Sequence, residues 1–214
     1  MSKSGATEAG SRKDRAQAQR DRILDAAQRC FAERGFHGAS MAMIAETAQM
    51  SPGLIYRYFA GKSELIHGIV SRQSELLADD FEQMESGARH PVDSIVDNYR
   101  ECVSRKGDDE SSPCYLDATL VLEIVAESHR DPVIAEAMDL LDARINSGLS
   151  QWLVQSSGPD AKEVPRQLLQ ARTLMLRVML DGLKMRQARD PDLDLGLLRE
   201  GLRDVFPGLQ GKPS

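Results

Sequence analysis

Aromatic residues are scarce in this 214-residue chain, with one Trp, four Tyr and five Phe. Runs in which Val, Ile or Thr alternate with polar residues are missing too, which removes the signature of half-buried strands. Leu, Met and Ala supply most of the apolar content at helical spacing, so an all-α protein is expected. Its three cysteines, Cys30, Cys102 and Cys114, are unevenly spaced and form no Cys-x-x-Cys pair. Neither a zinc framework nor a disulfide scaffold is implied, and free, packed thiols in a reduced, cytoplasmic setting are expected. No long apolar run is present. The most apolar one, Leu174 to Leu183, is interrupted by Arg177 and Asp181, so no membrane span is expected. The polar N-terminus lacks the apolar stretch of a signal peptide.

Catalytic constellations are missing as well. No Ser/His/Asp grouping or Gly-rich phosphate loop supports an enzyme, and no cofactor is expected. Glu64-Leu65-Ile66-His67 has the Glu-x-x-His form of a di-iron ligand pair. A di-iron bundle needs a second such pair, yet His37, His90 and His129 are preceded three residues earlier by Arg34, Gly87 and Ala126. His67 therefore reads as an ordinary helix residue, and no metal is expected.

The formal net charge of −6 is unevenly distributed. Residues 1–72 hold 11 Lys/Arg against 7 Asp/Glu, and the remainder holds 16 against 26. A basic N-terminal module on an acidic body is the asymmetry expected when only one end meets phosphates. Within that module, Ser40 is an N-cap candidate for a short helix to Ala48, with Met41, Ile44, Ala45 and Ala48 on one face. Ser51-Pro52 then restart a helix running to about Phe59, closed by Gly61. Two short helices so joined form a helix-turn-helix, whose second helix enters the DNA major groove. Ile55 and Phe59 share the anchoring face. Tyr56 and Arg57 point elsewhere and can bond phosphates or base edges, while Gly53 keeps the helix start slim. Lys62 and Ser63, opening the following helix, suit a phosphate.

At these residues the chain resembles the tetracycline-repressor (TetR) family. Gly35, Phe36, Ala39, Ser40, Ile44, Ala45, Ala48, Ser51, Gly53, Ile55, Tyr56, Phe59, Lys62 and Leu65 stand in the register of the family pattern. The resemblance covers roughly the first third of the chain, Arg20 to about Val70. It implies a double-stranded DNA operator as partner, with Ser40, Ala42, Ser51, Pro52, Gly53, Leu54, Tyr56, Arg57 and Lys62 at the interface. Tyr56 and Lys62 match positions that bond phosphates. Three departures bear on readout. Gln49 stands where Gly is usual, placing a side chain where positive φ is often required, at about 1 kcal/mol. Leu54 replaces Thr or Ser and Ala42 replaces a polar residue, so hydrogen-bond readout falls on Arg57. These departures leave room for a rival reading, a helical protein-interaction module with weakened DNA binding.

Three regions are expected: a flexible basic arm over 1–18, a DNA-binding domain over 19–66, and a helical effector-binding and dimerisation domain over 67–208. The first helix is expected from about Ala16 to Glu33, with glycine at its end. A helix from Lys62 to about Met84 follows, then one from Pro91 to about Arg105 and a charged loop over Lys106 to Pro113. Cys114 to Ser128 reads as a buried central helix. Asp131-Pro132 cap the next, to about Val154, and Gly158-Pro159 end it. Pro165 opens a helix to about Ala188 whose Leu and Met residues wrap most of its circumference. One face can fill its own core and the other needs a partner, so a homodimer is expected. The resemblance implies a four-helix bundle across a twofold axis, built with the final helix, which is expected to end at Phe206. It also implies a small-molecule effector pocket, for which Tyr99, Tyr115, Thr119, Glu123 and Arg177 are the polar candidates.

Overall fold

A computed structural model gives the arrangement of residues 5–104, 116–156, 164–190 and 192–210. Among these residues there are nine helices and no strand. The N-terminal module consists of α1 (Gly5–Gly38), α2 (Met41–Thr47), α3 (Pro52–Tyr56) and the first turns of α4 (Lys62–Glu85). The body adds α5 (Pro91–Ser104), α6 (Ala118–Ser128), α7 (Pro132–Ser156), α8 (Arg166–Arg189) and α9 (Leu195–Gln210).

Local chemistry accounts for most of these boundaries. Ser40 caps α2 by accepting the Met43 N–H at 3.2 Å, and Ser51 caps α3 by accepting that of Leu54 at 3.3 Å. Between them Gln49 takes φ 53°, the left-handed turn that its replacement of glycine implied. Gly35, at φ 72° and ψ 165°, breaks α1 after Arg34. At its other end α1 starts at Gly5, well before the expected Ala16, so the expected flexible arm is helical from that residue on. Ala6, Glu8, Ala9, Arg12, Lys13 and Arg15 are good helix formers, and their propensity sustains the helix despite Gly10 and the low apolar content. α3 stops at Tyr56 rather than near Phe59, because the Arg57 and Tyr58 amides close tighter turns onto Leu54 and Ile55 carbonyls.

Two other expectations are corrected. α6 begins at Ala118, not Cys114, because Asp117 caps it by accepting the N–H groups of Thr119 and Leu120 at 2.9 and 3.2 Å. α9 runs through Pro207 to Gln210 instead of stopping at Phe206. The expected charged loop, Tyr115 and Gly158-Pro159 lie outside the described residues.

The core shows no clean boundary between module and body. Ile23, Phe31, Ile44, Ile55, Leu65 and Ile66 pack in one cluster with Leu120 and Ile124 of α6 and Ile134 of α7. A second cluster joins Phe81, Val92, Val96, Trp152, Leu176 and Phe206, with Leu77 and Ile145 packed against both. Helix α4 runs unbroken from the first cluster to the second. Where it crosses α7, Gly148 lies so close that a Cβ there would sit 2.5 Å from the Phe81 ring.

Candidate functional site

The helix-turn-helix is held from behind. Ile55 and Phe59 are fully buried, and the Arg20 guanidinium lies 4.5 Å over the Phe59 ring. Tyr58 donates its hydroxyl to Gln19 at 2.7 Å, tying the end of α3 to α1. Other residues of the unit are open to solvent. Ser40, Ala42, Ser51, Pro52, Gly53 and Arg57 are exposed, Tyr56 is 54% exposed, and Leu54 is half-buried. Eight of the nine sequence-derived interface residues are thus exposed or half-buried on the unit.

Lys62 sits differently. Its ammonium donates to the backbone carbonyls of Phe36 at 2.6 Å and Ala39 at 3.0 Å, and lies 4.6 Å over the Phe36 ring. It closes the frayed C-terminal end of α1, where carbonyls lack helical partners. An ammonium has three donors, so this anchoring leaves one for a phosphate. The Glu64 carboxylate accepts the Ala60 N–H at 2.7 Å, and His67 Nδ1 faces Ser71 at 3.4 Å, so the Glu-x-x-His pair is engaged in the helix and its lead-in.

Three carboxylates, one turn apart, join α6 and the turn after it to the N-terminal module. Glu123 accepts the Phe36 N–H at 2.6 Å, and Glu127 lies 2.9 Å from His37 Nε2. Asp131 accepts from Ser63 at 2.5 Å while also capping α7 through the N–H groups of Val133 and Ile134. The Ser63 hydrogen bond is the main reason the Asp131 carboxyl titrates below its ordinary value, burial opposing it and the two backbone N–H groups helping.

A cavity of about 230 Å³ opens in the body between α4, α5, α7, α8 and α9, with α6 along one wall. Of the five polar candidates, Tyr99 and Arg177 line it. Thr119 is exposed in the first turn of α6, and Glu123 is turned to Phe36 by the hydrogen bond just described, so neither reaches the cavity. Tyr99 donates to the Asp190 carbonyl at 2.8 Å; burial first, and the Asp190 charge second, raise its phenol above the ordinary value. Sequence reasoning missed Asp80, Asn98, Lys184 and Gln187, which also line the cavity. Its available signal was spacing: Arg177, Leu180, Lys184 and Gln187 fall at three- and four-residue intervals on α8 and share a face.

An anchored helix-turn-helix thus stands on an all-helical body that holds a largely apolar cavity. Residues 23–69 match the family described as "Bacterial regulatory proteins, tetR family". The matched segment is the helix-turn-helix with the helices that flank it. The HTH-type transcriptional regulator UidR of Escherichia coli strain K12 is 35% identical over 123 residues, which are 56% of this chain and 57% of UidR. The match therefore spans little more than half the length of that relative. The HTH-type transcriptional repressor AcnR of Corynebacterium glutamicum is 26% identical over 196 residues, 90% of each chain. Among solved structures, Salmonella enterica GusR shares the fold at a TM-score of 0.59 and 28% identity, over 91% of this chain and 96% of that one. No helix among the described residues is long and apolar enough to cross a membrane.

Proposed function

We propose that this protein is a ligand-responsive, sequence-specific regulator of transcription, a repressor that leaves a near-palindromic DNA operator when a small molecule fills the cavity. The observation that carries the reading is the outward face of α3, where Tyr56 and Arg57 stand exposed over a helix anchored by Ile55 and Phe59. The charge division and the named relatives support it. Arg57 is the base-reading candidate, and Ser40, Ser51 and Tyr56 suit phosphates, which position the module without reading sequence.

The active species is a homodimer. Leu174, Met175, Val178 and Met185 of α8 are each about half exposed or more, at helical spacing, and Gly182 on the same helix has no atom near its Cβ position. Leu197 and Val205 of α9 are exposed as well. Burying so large an apolar surface against a second copy about a twofold axis removes it from water. Effector control requires that the ligand prefer one of two dimer geometries. Helix α6 is placed for that coupling, since Val121 and Val125 line the cavity while Glu123 and Glu127 hold the N-terminal module.

The test is selection of bound fragments from genomic DNA, followed by mobility shifts at several salt concentrations. A palindromic consensus bound with a steep salt slope supports the reading. Absence of any selective binding would favour the interaction-module alternative that Ala42 and Leu54 leave open. In parallel, Val178→Asp should give monomers in sedimentation and lose operator affinity.

A further inference from the structure

We infer that the cavity takes an uncharged ligand: a mainly hydrocarbon molecule with at most a single hydroxyl or carbonyl, not an organic anion or cation. The inference deepens, and rests on, the reading of this cavity as the effector site. Its walls are largely apolar, with Leu77, Phe81, Ile95, Trp152, Leu180 and Phe206 among them. At about 30 Å³ per water-sized group, 230 Å³ admits at least about eight such groups.

The decisive point is how the charged groups in the wall are already committed. Asp80, a buried carboxylate, accepts from Arg89 at 3.2 Å and from Ser94 at 3.2 Å. Arg177 is held by two carboxylates, Asp142 at 2.5 Å and Asp181 at 3.1 Å. Lys184 donates to Asn98 and Gln187, each at 3.2 Å. The wall carries both signs, so an anion meets Asp80 and Asp181 and a cation meets Arg177 and Lys184; either ion must lie beside a like charge or strip a group from its partners in a largely apolar enclosure, and both carry desolvation costs. A neutral ligand leaves every pair intact. It gains from apolar contact along its length, and the polar atoms of Ser94, Tyr99 and Gln187 can meet one polar end.

The experiment uses the full-length protein and a matched set of probes: decanol, decanoate and decylammonium, below their aggregation limits at neutral pH. Trp152, the only tryptophan in the chain, lines the cavity, and its fluorescence reports occupancy. Decanol is expected to bind about ten-fold or more tighter than either ion. Filling the cavity by Val121→Phe, or by Leu180→Phe should the first fail to fold, is expected to abolish the decanol signal with helicity retained by circular dichroism. Decanoate or decylammonium binding as tightly as decanol overturns the inference. So does a failure of all three to bind, or decanol binding that survives both cavity-filling substitutions. Operator binding is followed separately in a mobility shift. Decanol that fills the cavity without releasing DNA supports the ligand class and sinks the effector reading; preference for an ion with release of DNA does the reverse.

Discussion

The Glu123 carboxylate on α6 accepts the backbone N–H of Phe36 at 2.6 Å, across 87 residues of sequence. It reaches that amide because Gly35 has no side chain: a Cβ there would lie 2.9 Å from Glu123 Oε1. The bond ties the helix that borders the cavity to the broken end of α1. Glu123→Ala should lower stability by about 1–2 kcal/mol, the range for a hydrogen bond with one charged partner at a half-buried site. Glu123→Gln, which keeps an acceptor, should lose less. Urea unfolding measures both, and a mobility shift with effector should show a weaker response in the alanine variant. Full stability and an unchanged response would remove Glu123 from the coupling.

Gln49 pays for its left-handed backbone, φ 53°, with little in return. Its side chain accepts from Arg22 at 3.2 Å at an exposed site, an interaction worth a few tenths of a kcal/mol. Gln49→Gly should therefore stabilise the fold by up to about 1 kcal/mol, and Gln49→Ala should not. Thermal melting of both variants decides the matter, and a glycine variant less stable than the parent would show that the Arg22 contact outweighs the backbone strain.

Two glycines on long helices should answer differently to the same substitution. Gly148→Ala drives a methyl into the Phe81 ring, which must shift into the cavity, and should destabilise by about 1–3 kcal/mol. Gly182→Ala meets open space within the protomer and should hold or raise helix stability there. If α8 builds the dimer, that second variant should still weaken self-association. Denaturant midpoints and sedimentation separate the two effects.

Asp131 gives the α6 junction a defined dependence on pH. Its carboxyl titrates below the ordinary value in the folded state, chiefly through the Ser63 hydroxyl. The ionised form thus stabilises the fold above the unfolded value, about 3.9, and that contribution disappears as pH falls through the lowered folded value. Ser63→Ala should consequently cost most stability near neutrality and progressively less below about pH 4. Melting temperatures of parent and variant from pH 7 down to 3 test this; a gap that stays constant would mean Asp131 is not the linked group.

Local signals were the legible ones. The caps at Ser40 and Ser51, the break at Gly35 and the strained Gln49 all depend on residues a few positions apart, and each stands as the sequence implied. What the sequence withheld was long-range. Glu123 read as a pocket residue because nothing near it announces the Phe36 amide that takes its carboxylate. Lys184 and Gln187 share the cavity-facing side of α8 with Arg177, whereas the apolar surplus of that helix marks only its outer face. The early start of α1 was hidden for another reason, since few apolar residues mark it and propensity alone sustains the helix.

Lys62 and Arg57 separate holding the DNA-binding module from reading DNA. Arg57 is exposed beside Tyr56, with no bond that fixes its guanidinium to the module among the described contacts. Arg57→Ala should leave stability unchanged and lose discrimination at one base pair of each half-site, by about 1–3 kcal/mol if the contact is bidentate to guanine. Lys62 carries two duties. Its ammonium bridges the Phe36 and Ala39 carbonyls, so Lys62→Ala should cost roughly 1–3 kcal/mol of stability by stranding those acceptors. If its remaining donor also meets a phosphate, the same variant should bind specific and non-specific DNA more weakly and lower the salt slope by about one. Urea unfolding and binding to an operator library across salt concentrations resolve the combinations. A Lys62 variant with lowered stability and an unaltered salt slope would make this lysine a strut for α1 alone, and an Arg57 variant weakened equally on all sequences would pass readout to DNA shape and the apolar touch of Leu54.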